Sequence, residues 1–184
     1  MIRIFDILIA FCGLVVLLPF IIIVLFIGLF DSSKPLFIQE RVGRDQKTFL
    51  LFKFRTMVMN TVSVGTHEVD PMSITRLGHF LRKYKIDEIP QLFNVIIGEM
   101  SIVGPRPCLP VQIEVIQARE RKDVFDVRPG ITGLAQLREI DMSTPELLAE
   151  TDQQMIESLS LIKYFNYILL TVVGGGRGDR VKPQ

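Results

Sequence analysis

Two adjacent carboxylates, Asp87 and Glu88, stand in the run KIDEIPQLFNVIIGEMSIVGPRP at residues 85–107. Such a pair can hold a divalent cation, supply a nucleophile, or do both. Pro90 fits only the first turn of a helix and Gly98 suits the position just past its end, which predicts a helix of about two to three turns between them. Asp87 then falls at or next to the N-cap, where free backbone N–H groups and the positive end of the helix dipole keep a carboxylate ionised. The same donors could hold a phosphate. An isolated Asp-Glu pair before a helix is ordinarily a cap and a first-turn acid. The neighbours shift that reading. Leu92, Phe93, Val95, Ile96 and Ile97 cover most of the helix with apolar side chains, so it is buried on more than one side or lies against lipid. Gly104, Pro105 and Pro107 then force a rigid turn that holds Arg106, a fork-shaped phosphate donor, in one place.

The elements around the acids supply cations. Two β-like pieces, 36–39 and 49–54, are joined by Gly43, Arg44, Asp45 and Gln46, which predicts a β-hairpin. Lys53 and Arg55 would share one face at its end. Basic residues on a strand are mostly solvated; the alternative here is contact with phosphate or lipid head groups. After an aperiodic stretch at 58–75, Leu77, Phe80, Leu81 and Tyr84 recur at helical spacing, with Arg82, Lys83 and Lys85 on the other faces. This is either a solvated face over a core stripe or an interfacial helix whose Arg82 reaches the acids. Residues 110–127 describe a mostly exposed helix with no assigned chemistry. In RPGITGLAQ, Pro129, Gly130 and Gly133 predict a tight loop in which Arg128 and Gln136 offer donors to a nucleotide or diphosphate. Thr144 caps a helix opened by Pro145, and residues 158–173 suit a helix lying in a membrane interface.

Residues 7–30 carry no charged side chain across 24 positions, enough at about 1.5 Å per residue to cross a bilayer core of ~30 Å. The apolar stretch is too long for a signal peptide and no small-residue cleavage site follows it. Pro19 near its middle predicts a sharp kink. That leaves a kinked span and a re-entrant helix that exits through the leaflet it entered. Arg3 on one flank and Lys34, Arg41, Arg44 and Lys47 on the other fit two cytoplasmic ends. A length of 184 residues suits one domain, and 48% hydrophobic residues with a mean hydropathy of +0.36 imply a membrane. Residues 31–85 hold ten Lys and Arg against five Asp and Glu, whereas 139–162 hold six acids and no Lys or Arg, so an anionic partner belongs to the earlier half. Cys12 and Cys108 suggest no disulfide framework, two His suggest no zinc site, and the basic stretch contains no nucleic-acid module. The Gly-rich polar tail, 174–184, predicts disorder, and Arg177, Gly178 and Asp179 within it form an adhesion tripeptide by chance.

The run DPMSITRLGHFLRKYKIDEIPQLFNVIIGEMSIVGPRP resembles the core signature of the bacterial sugar transferase family, the monotopic phosphoglycosyl transferases. IQERVGR and KFRTM within 38–57, and RPGITGLAQ at 128–136, are similar to that family's other signatures and come in the same order. The likeness covers nearly the whole chain and is to small members that consist of the catalytic module alone. With the residue pattern it implies an α+β, mainly helical fold: a re-entrant membrane helix at 1–31, a cytoplasmic or interfacial catalytic domain at 32–173 with amphipathic helices and a small β-hairpin, and a flexible tail at 174–184. The resemblance implies transfer of a sugar 1-phosphate from a UDP-sugar, an N-acetylated hexosamine or deoxy relative, to polyprenyl phosphate with release of UMP. It implies the cytoplasmic face of the bacterial inner membrane. Carried over by motif, Asp87 is the nucleophile and Glu88 holds or places Mg²⁺ with it. Lys53, Arg55, Arg82 and Arg106 screen the phosphate charge, with Arg128 and Gln136 as further substrate donors. Where the family commonly has Asp, this chain has Tyr164, which removes one carboxylate near the site. Two other classes use the same residues: a Mg²⁺-dependent polyprenyl diphosphate hydrolase, and a membrane-anchored adaptor without activity whose basic region binds anionic lipid.

Overall fold

The computed structural model describes residues 2–59 and 73–175; most of the loop expected at 58–75, with Asp70 and Pro71, and the tail with Arg177 lie outside the described residues. Helix α1 (Ile2–Ser32) is longer than the uncharged run and includes Arg3, Asp6 and Asp31. The first two are accommodated because protein groups satisfy them. Arg3 donates to the carbonyls of Val95 at 2.6 Å and Met100 at 3.1 Å, and Asp6 accepts from the Ser101 hydroxyl and the Ile102 N–H, both at 2.9 Å, and from the Tyr164 hydroxyl at 2.8 Å. The helix is one continuous element with Pro19, the residue expected to kink it, inside it. Asp6, Ala10, Val24, Gly28 and Ser32 form its buried stripe, at the spacing of one helix face. A Cβ on Gly13 would meet Leu92 at 3.2 Å and one on Gly28 would meet Pro35 at 2.7 Å, so the helix is packed along most of its length. Its other faces expose Ile4, Leu8, Phe11, Val16, Ile22 and Phe30. An apolar surface of that extent marks membrane association.

The chain leaves α1 directly into the expected hairpin, β1 (Leu36–Val42) paired antiparallel with β2 (Thr48–Phe54), Phe37 facing Lys53. Helix α2 (Arg76–Lys83) is capped by Thr75, whose hydroxyl accepts from the Gly78 N–H at 2.9 Å. Its apolar residues divide instead of forming one stripe: Leu81 is buried with Val24 and Phe54, whereas Phe80 and Tyr84 are exposed. Helix α3 (Gln91–Ile97) closes at Gly98 with φ 97°, the left-handed exit for which glycine is suited. Val95, Met100, Ile102, Met155 and Tyr164 make the core between these elements.

Asn94, fully buried on α3, ties that helix to the free edge of β2. Its amide accepts from the Phe52 N–H at 3.1 Å and donates to the Leu50 carbonyl at 2.7 Å and to Glu99 at 2.8 Å. Asn94→Leu deprives two strand groups of partners, at about 1–3 kcal/mol each. A lower unfolding midpoint in detergent is the expected result; an unchanged midpoint would mean that water serves the strand edge equally well.

SIVGPRP and RPGITGLAQ, both expected as loops, pair with each other. Strands β3 (Ser101–Val103) and β4 (Gly130–Thr132) form a parallel sheet, and the short helix α5 (Leu134–Leu137) follows. A Cβ on Gly130 would stand 2.0 Å from the Gly104 nitrogen, so the two backbones touch only because both positions are glycine. Helix α7 (Leu161–Val172) packs on this strand pair, and α4 (Ile113–Glu120) packs against α6 (Pro145–Ser158), which also contacts α5. Helix α6 opens on Pro145 as expected, although the Thr144 side chain does not cap it. Helix α7 buries Tyr164 and Tyr167 and exposes Ile162, Leu169 and Val172. The α+β, mainly helical class stands as the sequence implied.

Candidate active site

The acids do not cap α3. They lie in a single 3₁₀ turn, Ile86–Glu88, entered through Lys85 in the left-handed region at φ 57°, and Pro90 occupies the N-cap of α3. That reversal at Lys85 separates the acids from α2 and turns them inward: Asp87 is 2% exposed and Glu88 6%. Buried carboxylates require charged or hydrogen-bonding partners. Glu88 has two on one oxygen, Arg106 donating to Oε1 at 2.9 Å and the Lys53 ammonium 3.6 Å away. Lys53 is itself buried at the end of β2, and Arg106 comes from the Pro-Arg-Pro turn beyond β3. Three segments distant in sequence thus converge on one carboxylate.

The other expected site residues divide into near and far. Arg82 donates through Nε to the buried Thr56 hydroxyl at 2.8 Å, just beyond the strand that carries Lys53. Arg55 keeps to the hairpin, where Nε donates to the Lys34 carbonyl at 2.8 Å and the guanidinium lies 5.3 Å over the Phe37 ring. Arg128 donates to the Gly98 carbonyl at 2.8 Å, finishing the end of α3. Gln136 donates to the Ile131 carbonyl at 2.8 Å, and its Oε1 is buried without a hydrogen-bond partner among the described residues. Lys53, Glu88 and Arg106 are brought together beside Asp87, whereas these contacts of Arg55, Arg128 and Gln136 are to the scaffold.

Two residues that the sequence reading did not single out also shape the site. Asn94 fixes α3 against β2, and Arg119 lies on α4, the helix expected to be mostly exposed. Arg119 is 1% exposed, donates to Asp152 Oδ2 at 2.7 and 3.0 Å, and donates to the Arg106 carbonyl at 2.7 Å. A signal existed: Asp152 falls between Leu148 and Met155 on the apolar stripe of α6, and an acid there calls for a buried cation. Burial pushes the Asp152 carboxyl above its ordinary range, and Arg119 pulls it back.

Tyr164 is fully buried and donates to Asp6, and burial together with that contact raises its phenol well above the usual range. A carboxylate at this position would meet Asp6 in the core, so the residue here bears on how α1 is tied to α7. Among the described residues no three Asp, Glu, His or Cys side chains form a group. Mg²⁺ takes one or two protein carboxylates and completes its shell with phosphate oxygens and water, and the adjacent, buried Asp87 and Glu88 are the carboxylates of the site.

A sequence model of the family described as bacterial sugar transferase matches residues 1–176. The chain is similar to a UDP-galactose-lipid carrier transferase of Erwinia amylovora, 41% identical over 73% of this chain and 32% of that protein. It is similar to an undecaprenyl-phosphate glucose phosphotransferase of Komagataeibacter xylinus, 39% identical over 82% of this chain and 29% of the other. A UDP-N-acetylgalactosamine-undecaprenyl-phosphate N-acetylgalactosaminephosphotransferase of Aeromonas hydrophila is 36% identical over 71% of this chain and 33% of its own length. The chain spans about a third of each of these relatives.

Proposed function

The chain belongs to the bacterial sugar transferase family, and from that premise we propose that it moves a sugar 1-phosphate from a UDP-sugar to undecaprenyl phosphate and releases UMP. The observation that carries the reading is the buried carboxylate pair with Lys53 and Arg106 on Glu88, in a domain packed along a lipid-facing helix. Acids for covalent chemistry and cations for phosphate oxygens then lie where a lipid phosphate can arrive. A lipid-binding adaptor would turn those cations outward.

In this mechanism an Asp87 oxygen attacks the β-phosphorus of the UDP-sugar. The bond from that phosphorus to the bridging oxygen breaks, UMP leaves with the oxygen, and the sugar phosphate stays on Asp87 as an acyl phosphate. An oxygen of undecaprenyl phosphate then attacks the same phosphorus, and Asp87 leaves as a carboxylate. Anion meets anion in both steps, so charge neutralisation dominates the barrier. Arg106 and Lys53 are placed to hold non-bridging oxygens, with Arg82 reaching from the Thr56 side. Asp87 and Glu88 would hold Mg²⁺, which when bound withdraws charge from the diphosphate.

The relatives are named for galactose, glucose and N-acetylgalactosamine; an N-acetylated hexosamine or a deoxy relative is the donor proposed here. The test is UMP release by protein in nanodiscs with undecaprenyl phosphate, Mg²⁺ and a panel of UDP-hexoses, UDP-N-acetylhexosamines and a UDP-deoxy-sugar. Label from one donor should appear in the lipid extract. Label left in water as sugar phosphate would indicate a hydrolase, and silence across the panel would remove the reading.

We also propose that α1 is re-entrant, with both ends and the catalytic domain facing the cytoplasm. In support, Arg3 and Asp6 at one end and Val24 towards the other all contact the same domain, Val24 packing with Phe54 and Leu81, which a helix with ends in two compartments cannot do unless the domain crosses with it. In a Cys12→Ser, Cys108→Ser background, single cysteines at positions 2 and 34 should both resist an impermeant reagent added to intact cells. Labelling of position 2 from outside would establish a span. Pro19→Ala should increase that labelling, because a straighter helix reaches the far leaflet.

A further inference from the structure

We propose that Arg119, held by Asp152, is a positioning residue for sugar-phosphate transfer, fixing the Pro-Arg-Pro turn so that Arg106 reaches Glu88. This inference rests on the transfer reading above. Pro105 and Pro107 have no N–H, so the turn is anchored chiefly through its carbonyls. The four consecutive carbonyls of residues 105–108 each accept one hydrogen bond, from the Gly130 N–H at 2.8 Å, Arg119 at 2.7 Å, Arg41 at 3.1 Å and the Val42 N–H at 2.9 Å. Strands β4 and β1 thus hold three of the carbonyls, and Arg119 holds the one belonging to Arg106. A small cleft bordered by Val42, Pro105, Pro107, Val124 and Phe125 runs beside the turn. Pro105, Pro107 and Cys108 are buried, Cys108 against Val42 and Phe125, so the hydrogen bonds act on a turn that is already packed and set the orientation of its carbonyls.

Arg119 is built for the task. Two of its N–H groups go to Asp152 Oδ2, at 3.0 and 2.7 Å, and a third goes to the Arg106 carbonyl. Both Arg119 and Asp152 are 1% exposed. A buried ion pair by itself is a weak source of stability, and apolar residues of similar volume would join α4 to α6 as well or better. What apolar residues cannot supply is the third contact, a rigid fork braced on one carboxylate and pointed at one main-chain oxygen. Beyond that oxygen the Arg106 guanidinium donates to Glu88 at 2.9 Å, so the line runs from α6 through α4 to the acids.

The test is a double-mutant cycle on the full chain in nanodiscs, reading single-turnover UMP release for wild type, Arg119→Lys, Asp152→Asn, Arg106→Ala and each double variant, with thermal unfolding of each. Lysine keeps the charge pair but cannot brace both partners in a fixed plane. Arg119→Lys should remain folded with turnover about 10- to 100-fold lower, KM for UDP-sugar nearly unchanged, and no further loss when added to Arg106→Ala. Equal proportional losses in both backgrounds would overturn the proposal, as would wild-type turnover by Arg119→Lys or unfolding of both Arg119→Lys and Asp152→Asn. Hydrogen exchange of the peptide spanning 104–109 needs no substrate. It should quicken in Arg119→Lys while peptides of α7 stay unchanged, and an unchanged turn would reject the inference. Failure of wild type to release UMP from any donor is a separate result that removes the transfer reading, and exchange then decides the positioning claim alone.

Discussion

Asp87→Asn protein is expected to release no UMP when given UDP-sugar and Mg²⁺ without lipid, where wild type releases a burst of at most one equivalent per site and retains the sugar phosphate. The amide is nearly isosteric with the carboxylate, so a residue 2% exposed can be exchanged with little change in packing. What disappears is the nucleophilic oxygen, and losses for removing a covalent nucleophile run to about 10⁴-fold or more. Glu88→Gln should behave differently. It removes the charge that Arg106 and Lys53 share, so transfer slows, yet Asp87 remains and adduct should accumulate with time. A single displacement would give no UMP without acceptor in any of these proteins. Mass spectrometry of the trapped enzyme assigns the residue: sugar phosphate on a peptide lacking Asp87 would overturn the assignment even with a burst present.

How much of this arrangement the sequence disclosed follows from how local each determinant is. The end of α3 at Gly98 and the hairpin were legible because glycine exits and turn-rich connections act within a few residues. Asp87 was misplaced by a few residues because Pro90 suits either the N-cap or the first helical position, and nothing in the run announces that Lys85 adopts a left-handed conformation. The β3–β4 pair was missed altogether. Its strands are three residues each and pair across the intervening α4, so no alternation could reveal them, and the requirement for glycine at both 104 and 130 exists only once the two backbones meet. Among the cations, motif and spacing could not tell Lys53, which turns to Glu88, from Arg55, which folds back on Phe37. Arg119 looked solvated because its partner lies on another helix. Side chains settled by a neighbour distant in sequence are the ones that periodicity leaves ambiguous.

Arg106→Lys is the second large effect expected, a loss of about 10²-fold in kcat/KM although the charge is conserved. The guanidinium reaches Glu88 from a turn whose backbone is fixed by two prolines and by hydrogen bonds to its carbonyls, so the turn cannot shift to suit a different head group. A lysine ammonium is a compact point charge. It can still neutralise Glu88, but it cannot keep that contact and present a second, coplanar N–H edge to phosphate oxygens. If the missing edge acts on charge that develops as the phosphorus–oxygen bond breaks, the loss falls on kcat; if it acts equally on bound UDP-sugar, the loss falls on KM. Arg106→Gln should be slower still, because Glu88 then loses a cation as well as a fork. Near-normal turnover by the lysine variant would reduce Arg106 to a counter-ion for Glu88, and would leave Lys53 and Arg82 as the groups that meet the phosphate.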